Sequence, residues 1–303
     1  MEVVLTRVEF AGFLLGTILG SFSLALADRS LAKQSFRGRS YCPNCKKKLR
    51  WYDLFPVISF IILVGRCRYC KKSIKIDYLL VEVIMGGVLS FLFAQQFSAI
   101  GGPAFGWQFS FSIFELILKI FFITILAILF ITDVHDMFIP DRIIVPALII
   151  GFGVNLILIV SKIGYLYYYL SQSIVGKFLL PPHNDYFQRH ALITATPFLT
   201  GILMALLIGG FFMGLIIITR GKGMGGGDVK LGAFIGLMLG FPQSLLAIVS
   251  SFILGAVFSI GLLITGKKHF GQSIPFGPFL VLGSLVSLFW GNQIIDWYLK
   301  LGS

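Results

Sequence analysis

Apolar runs of about 20 residues recur along the whole chain, and they limit its fold more than any other feature. Wound as an α-helix, such a run is long enough to cross the roughly 30 Å hydrocarbon core of a bilayer. Within that core each backbone N–H and C=O must find its partner inside the protein, which selects helices over isolated strands. Eight spans are expected, at about 8–27, 78–97, 111–132, 139–161, 191–219, 229–243, 244–266 and 274–295. The fifth is long and accommodates by tilting. The sixth is short, glycine-rich and ends in a turn at Phe241-Pro242. The 303 residues are 57% hydrophobic and 13% charged, whereas a soluble domain carries about 25% charged residues. Residues 1–9 hold two acids and one Arg and lead into a run of spanning length, unlike a secretory signal peptide.

The net charge is +12, but thirteen of the 25 Lys and Arg lie between Arg29 and Lys75. No nucleic-acid-binding module surrounds them, so the asymmetry reads as a topology signal and not as a nucleic-acid footprint. With the 28–77 loop on the cytoplasmic side, 133–141, 220–228 and 267–273 also fall there. Arg142, Arg220, Lys222, Lys230, Lys267 and Lys268 lie in or beside those segments. Both termini are then expected on the non-cytoplasmic side. The outer loop 162–190, with Tyr165, Tyr167, Tyr168, Tyr169 and Pro181-Pro182, is expected along the membrane surface. No internal repeat stands out. Leu54–Val64 is apolar but too short to cross, and reads as an interfacial or re-entrant piece packed within the 28–77 loop.

All four cysteines lie in that loop, as Cys42-Pro43-Asn44-Cys45 and Cys67-Arg68-Tyr69-Cys70. Paired CxxC turns present four thiolates to one tetrahedral Zn²⁺, and the 21-residue gap between them is just over the usual range. Four thiolates leave no open position for water, so the metal is structural and staples a loop with little core. The loop's lysines and arginines are suited to anionic lipid head groups. The fold expected is an all-α polytopic membrane protein of about eight transmembrane helices with a small cytoplasmic zinc-binding loop domain.

Carboxylates at span edges are costly and point to chemistry. Asp133 ends the third span, and Asp228 follows the run Gly221–Gly227. The topology brings both to the cytoplasmic face although 95 residues separate them. Two carboxylates sharing a proton can hydrolyse a peptide bond, one as base on water and the other as acid on the carbonyl. Gly225 and Gly227 permit close approach and unusual dihedrals. Asp136 and Asp141 compete with Asp133 for the active role, with Asp141 placed to cap a helix after Pro140 and His135 a solvated neighbour. Asp228 is also readable as a helix N-cap.

Together these residues resemble the type IV prepilin peptidases, the bifunctional leader peptidase/N-methyltransferases. The resemblance covers nearly the whole chain. It rests on Gly20-Ser21-Phe22, the two CxxC pairs with Leu49-Arg50-Trp51-Tyr52-Asp53 and Pro56 between them, and Gly65-Arg66 before Cys67. It continues with Asp133 spaced from Ile139-Pro140-Asp141, with Gly225-Gly226-Gly227-Asp228-Val229-Lys230-Leu231, and with Ile274-Pro275-Phe276-Gly277-Pro278-Phe279. It implies that Asp133 and Asp228 are the catalytic pair. It further implies prepilin or pseudopilin substrates cut after Gly at the cytoplasmic face of the bacterial inner membrane, and methylation of the new N-terminus with S-adenosylmethionine. After Phe22 the chain reads Ser23-Leu24 where the family usually has Asn and then Tyr-Arg, a departure that bears on methyl transfer more than on proteolysis. Arg29, Arg66 and Glu82 are candidates for cofactor or substrate contact, and the cofactor-binding residues are otherwise undetermined. The division expected is 1–27 as first span, 28–77 as cytoplasmic four-Cys domain and 78–303 as peptidase core. The competing readings are a peptidase without methyl transfer, a transporter with a cytoplasmic zinc module, and a scaffold without catalysis.

Overall fold

The computed structural model describes residues 2–36, 38–99, 107–182, 184–221, 224–265 and 275–301. Two compact units divide the chain, Met1–Pro140 and Asp141–Ser303. No strand occurs among the described residues.

The first unit holds α1 (Glu2–Leu31), a 3₁₀ turn (Trp51–Leu54), α2 (Ile58–Ile62), α3 (Ile76–Ala99) and α4 (Trp107–Asp136). α1 and α3 pack closely because α1 carries Gly12, Gly16 and Gly20 on one face, four residues apart. A Cβ at Gly12 would stand 2.8 Å from the Leu89 carbonyl oxygen, and one at Gly20 would stand 3.0 Å from the Glu82 Cα. At Gly16 it would run into the Met85 carbonyl. Lipid chains are as apolar as leucine, so helices in a membrane associate through such close van der Waals contact and not through water exclusion. The Tyr78 hydroxyl donates to Asp28 at 2.5 Å, tying the end of α1 to the start of α3. α4 adds Phe122, Ile123, Leu126 and Leu129 to the buried face.

The second unit holds α5 (Asp141–Ser171), α6 (Ile174–Phe178), α7 (Tyr186–Ile218), α8 (Gly226–Leu239), α9 (Gln243–Ile264) and α10 (Gly277–Leu301). α8 is its centre, touching α5, α7, α9 and α10. Leu231, Phe234 and Ile235 are fully buried, and Gly232 and Gly236 let α8 meet α7: a Cβ at Gly236 would stand 2.6 Å from the Ala205 nitrogen. The helix stops at Gly240, whose φ of 64° suits only glycine without strain, and a cis peptide follows between Phe241 and Pro242.

Among the described residues, seven helices are long and apolar enough to cross a membrane. The sixth expected span is the 14-residue α8, about 21 Å long at 1.5 Å per residue and short of the bilayer core. Its apolar residues serve burial among neighbouring helices. The outer loop expected at 162–190 is mostly helix instead. α5 runs on to Ser171 and α7 starts at Tyr186, because no breaker interrupts the tyrosines and Tyr165 stacks on Tyr169 one turn later, with ring centroids 6.4 Å apart. The expected start of the last span at Ile274, together with Lys267 and Lys268, lies outside the described residues, as do Lys222 and Gly223.

Candidate active site and metal centre

The two cysteine turns are built alike. In the first, Cys42 N–H donates to the Lys47 carbonyl and Lys46 N–H to the Cys42 carbonyl; in the second, Cys67 and Lys71 repeat those bonds with Lys72 and Cys67. Isolated antiparallel bridges close each turn, Tyr41 with Lys48 and Arg66 with Ser73. Lys46 and Lys71 both carry positive φ, 54° and 58°. So the structure does contain a short local repeat, which the sequence carries only as two similar CxxC-Lys strings.

The four sulfurs lie within 4.8 Å of one another and could hold a metal ion. Four ligands about 2.3 Å from a tetrahedral Zn²⁺ would be about 3.8 Å apart, and Cys42 Sγ lies 3.9 Å from Cys70 Sγ. The donor set and its size therefore fit zinc. Burial pushes the Cys42 thiol up, but the N–H groups of Cys45 and Asn44 and the thiols of Cys67 and Cys45 outweigh it and bring Cys42 down to about 7. At Cys70 the Lys72 N–H pulls down, yet burial and the three other thiols push it up to about 11. Crowded thiols share protons in this way, and a bound cation displaces them.

Asp53 organises the chain between the two turns. Its carboxylate accepts from Arg50 N–H at 3.1 Å, Arg68 Nε at 2.7 Å and the Tyr69 hydroxyl at 3.1 Å. Burial would raise this carboxyl, but the Arg68 guanidinium, the Arg50 N–H and the Tyr69 hydroxyl together hold it below its usual range. Sequence reasoning gave Asp53 no role. Its signal was an acid three residues after Arg50 beside CxxC turns that carry Arg and Tyr.

Glu82, Asp133 and Asp228 are the buried acids of the described helices, with relative exposures of 7%, 6% and 9%. Asp133 sits in the last turn of α4, beside fully buried Thr132. His135 and Asp136, two and three residues on, are exposed. Burial thus separates Asp133 from its neighbours, since an ionised carboxylate is expensive to remove from water without a purpose or a partner.

In the second unit Asp228 occupies the first turn of α8, where unsatisfied N–H groups favour a carboxylate. The N-cap is Gly225 and not Asp228, which corrects the capping reading. Gly225 has an ordinary φ of −84°, so unusual dihedrals are not its contribution. Space is: a Cβ at Gly225 or Gly226 would meet no heavy atom within 4 Å among the described residues. Asp141 begins α5 and accepts from Lys230 Nζ at 2.5 Å, so the start of α5 holds the start of α8. Nothing in the sequence pointed to that ion pair.

The remaining candidates have local tasks. Arg29 donates to the carbonyls of Phe36 and Gly38 at 2.6 and 2.9 Å, shaping the exit from α1. Arg66 is exposed. Glu82 accepts from Val57 N–H at 2.7 Å and is reached by the Ser21 hydroxyl of the Gly20-Ser21-Phe22 motif.

Two family models match the chain: "Bacterial Peptidase A24 N-terminal domain" over residues 14–97 and "Type IV leader peptidase family" over 120–260. Among similar curated proteins, a "Prepilin leader peptidase/N-methyltransferase" of Bacillus subtilis is 29% identical over 95% of this chain and 97% of its own length. Proteins of the same name from Burkholderia pseudomallei (31% identical, 87% and 70%) and Legionella pneumophila (29%, 87% and 76%) are also similar. No solved structure matches.

Proposed function

The chain belongs to the type IV leader peptidase family, and from that premise we propose that it cleaves the leader of type IV prepilins or pseudopilins after Gly at the cytoplasmic face of the inner membrane and then methylates the new N-terminus. It is a multi-pass membrane protein, with both termini assigned to the non-cytoplasmic side. The transporter and scaffold readings give way to the family assignment.

Asp133 and Asp228 are the proposed catalytic pair. One carboxylate takes a proton from water as the oxygen attacks the scissile carbonyl; the other, protonated, gives its proton to the carbonyl oxygen. As the resulting gem-diol collapses, the first carboxyl gives the proton it took from water to the amide nitrogen, the second carboxylate takes a proton from a gem-diol hydroxyl, and the amine leaves with both groups back in their starting states. The observation that carries this reading is the burial of these two acids within the family's matched segment. The open space beside Gly225 and Gly226 offers room for an extended backbone at Asp228.

Cys42, Cys45, Cys67 and Cys70 are proposed to hold a structural zinc ion that fixes the loop between α1 and α3. S-adenosylmethionine, when bound, supplies the methyl group; no residue of this chain is assigned to hold it. One feature favours a second reading, a peptidase without methyl transfer. Ser23, where the family usually has Asn, is fully buried and donates its hydroxyl to Leu19 of its own helix at 2.7 Å.

The test is cleavage of a prepilin in detergent. Asp133→Asn and Asp228→Asn should each lower the rate by about 10²–10⁴-fold while purified yield holds. Either variant cleaving at the wild-type rate removes that residue from the mechanism. Mass measurement of the mature N-terminus with cofactor supplied distinguishes the two readings of methylation.

A further inference from the structure

Between the two cysteine turns lies an apolar surface that the peptidase chemistry does not use. Trp51, Ile61, Ile62 and Val64 are 73%, 64%, 69% and 79% exposed, and Phe55 and Ile58 are about half exposed. In water such a cluster would favour aggregation or binding. α2 has only five residues and cannot cross a bilayer.

The Val57–Glu82 hydrogen bond fixes where this surface sits. Val57 N–H reaches the Glu82 carboxylate at 2.7 Å, and Glu82 stands six residues into α3, about 9 Å along that helix. The start of α2 is therefore level with the second turn of a spanning helix, not suspended beyond its end. Val57 holds a φ of 60° there, a conformation that costs a β-branched residue energy and persists only where its surroundings impose it. On α3 itself Ile76, Leu80 and Ile84 are exposed, so apolar surface continues from the span onto the segment.

Charge supplies the second half of the argument. Lys46, Lys47, Lys48, Arg66, Lys71 and Lys72 are exposed on the flanking turns. From Arg29 to Lys75 the sequence has a single acid, Asp53, and Arg68 is bonded to it. An apolar face bordered by unopposed cations is the pattern that binds an anionic leaflet, with apolar side chains at the acyl boundary and ammonium and guanidinium groups at the phosphates.

We propose that the 51–64 segment is a lipid anchor. Trp51, Phe55, Ile58, Ile61, Ile62 and Val64 enter the boundary between head groups and acyl chains of the cytoplasmic leaflet, and the flanking lysines bind anionic phosphates. The anchor holds the metal-binding loop against the membrane surface. It stands whether or not the chain cleaves prepilins, and its readout does not involve cleavage, so the two readings fail separately.

The test uses the full-length protein in nanodiscs of phosphatidylglycerol, with Trp107, Trp290 and Trp297 changed to Phe so that Trp51 alone reports. Its emission should be blue-shifted and quenched by lipids brominated near the glycerol end of the acyl chain, more than by lipids brominated near the chain terminus. Aqueous iodide should quench weakly. Ile61→Trp in a background with all four native tryptophans changed to Phe should behave the same way. Adding Ile61→Asp and Ile62→Asp to the Trp51 reporter should shift its emission to the red and weaken lipid quenching at unchanged bound zinc. Emission reached by iodide but not by brominated lipid would overturn the anchor. So would protection from both quenchers, which would mean that a protein segment covers the face.

Discussion

Asp53 is a single carboxylate that accepts three hydrogen bonds and ties the Trp51–Leu54 turn to the second cysteine turn. Because its pKa is held below the ordinary value, its contribution to stability is fully present above the unfolded carboxyl pKa of about 4 and is lost as pH falls through the lower folded value. Asp53→Asn should therefore lower the thermal midpoint by a few degrees near neutral pH, and the gap from wild type should close below about pH 4. A gap that stays constant to pH 3 would mean that the charge contributes nothing. Arg68 is two-fifths exposed, so solvent screening keeps the effect small. Among the aspartates near the end of α4, composition and hydropathy did not separate Asp133 from Asp136; only the motif spacing to Ile139-Pro140-Asp141 pointed to Asp133. Both follow the same apolar run, but burial ends at Asp133, and Asp136, at the last residue of α4, lies beyond the packed part of the helix.

At the scale of elements, α1 and α3 are held by glycine contacts and α8 by burial on every side. Gly16→Val would force a branched side chain into the Met85 carbonyl, and overpacking of that kind costs about 1–3 kcal/mol. A lower melting temperature in detergent is the expected result, and an unchanged one would show that the α1–α3 contact loosens without cost. The loop between α1 and α3 is proposed to depend on its four thiolates for a metal ion. Cys42→Ser or Cys67→Ser should abolish stoichiometric zinc, measured by metal analysis of reduced protein, and should expose residues 38–75 to protease while the helices stay intact. A four-sulfur cluster was legible from CxxC spacing because ligand geometry is local. The pairing of Lys230 with Asp141 was not, because it joins residues 89 apart.

For the molecule as a whole, the topology proposed above puts both ends on the non-cytoplasmic side, and it requires the 14-residue α8 to count as a crossing. A C-terminal alkaline phosphatase fusion should be active and a C-terminal green fluorescent protein fusion dark; the reverse pattern would require α8 not to count as a crossing. Seven membrane-length helices, the basic loop, the four-cysteine cluster and the two aspartates proposed as catalytic were legible in the sequence. Hydropathy, charge asymmetry and motif spacing are one-dimensional signals, and a bilayer turns them directly into structure. What the linear pattern could not contain was decided by tertiary contact. Packing made the sixth run a buried short helix, extended α5 through its tyrosines, bonded the Val57 backbone to Glu82 on a neighbouring helix, and buried Asp133 but not Asp136. Each of these outcomes depends on which atoms a neighbouring helix brings near, and that neighbour is fixed only when the chain has folded.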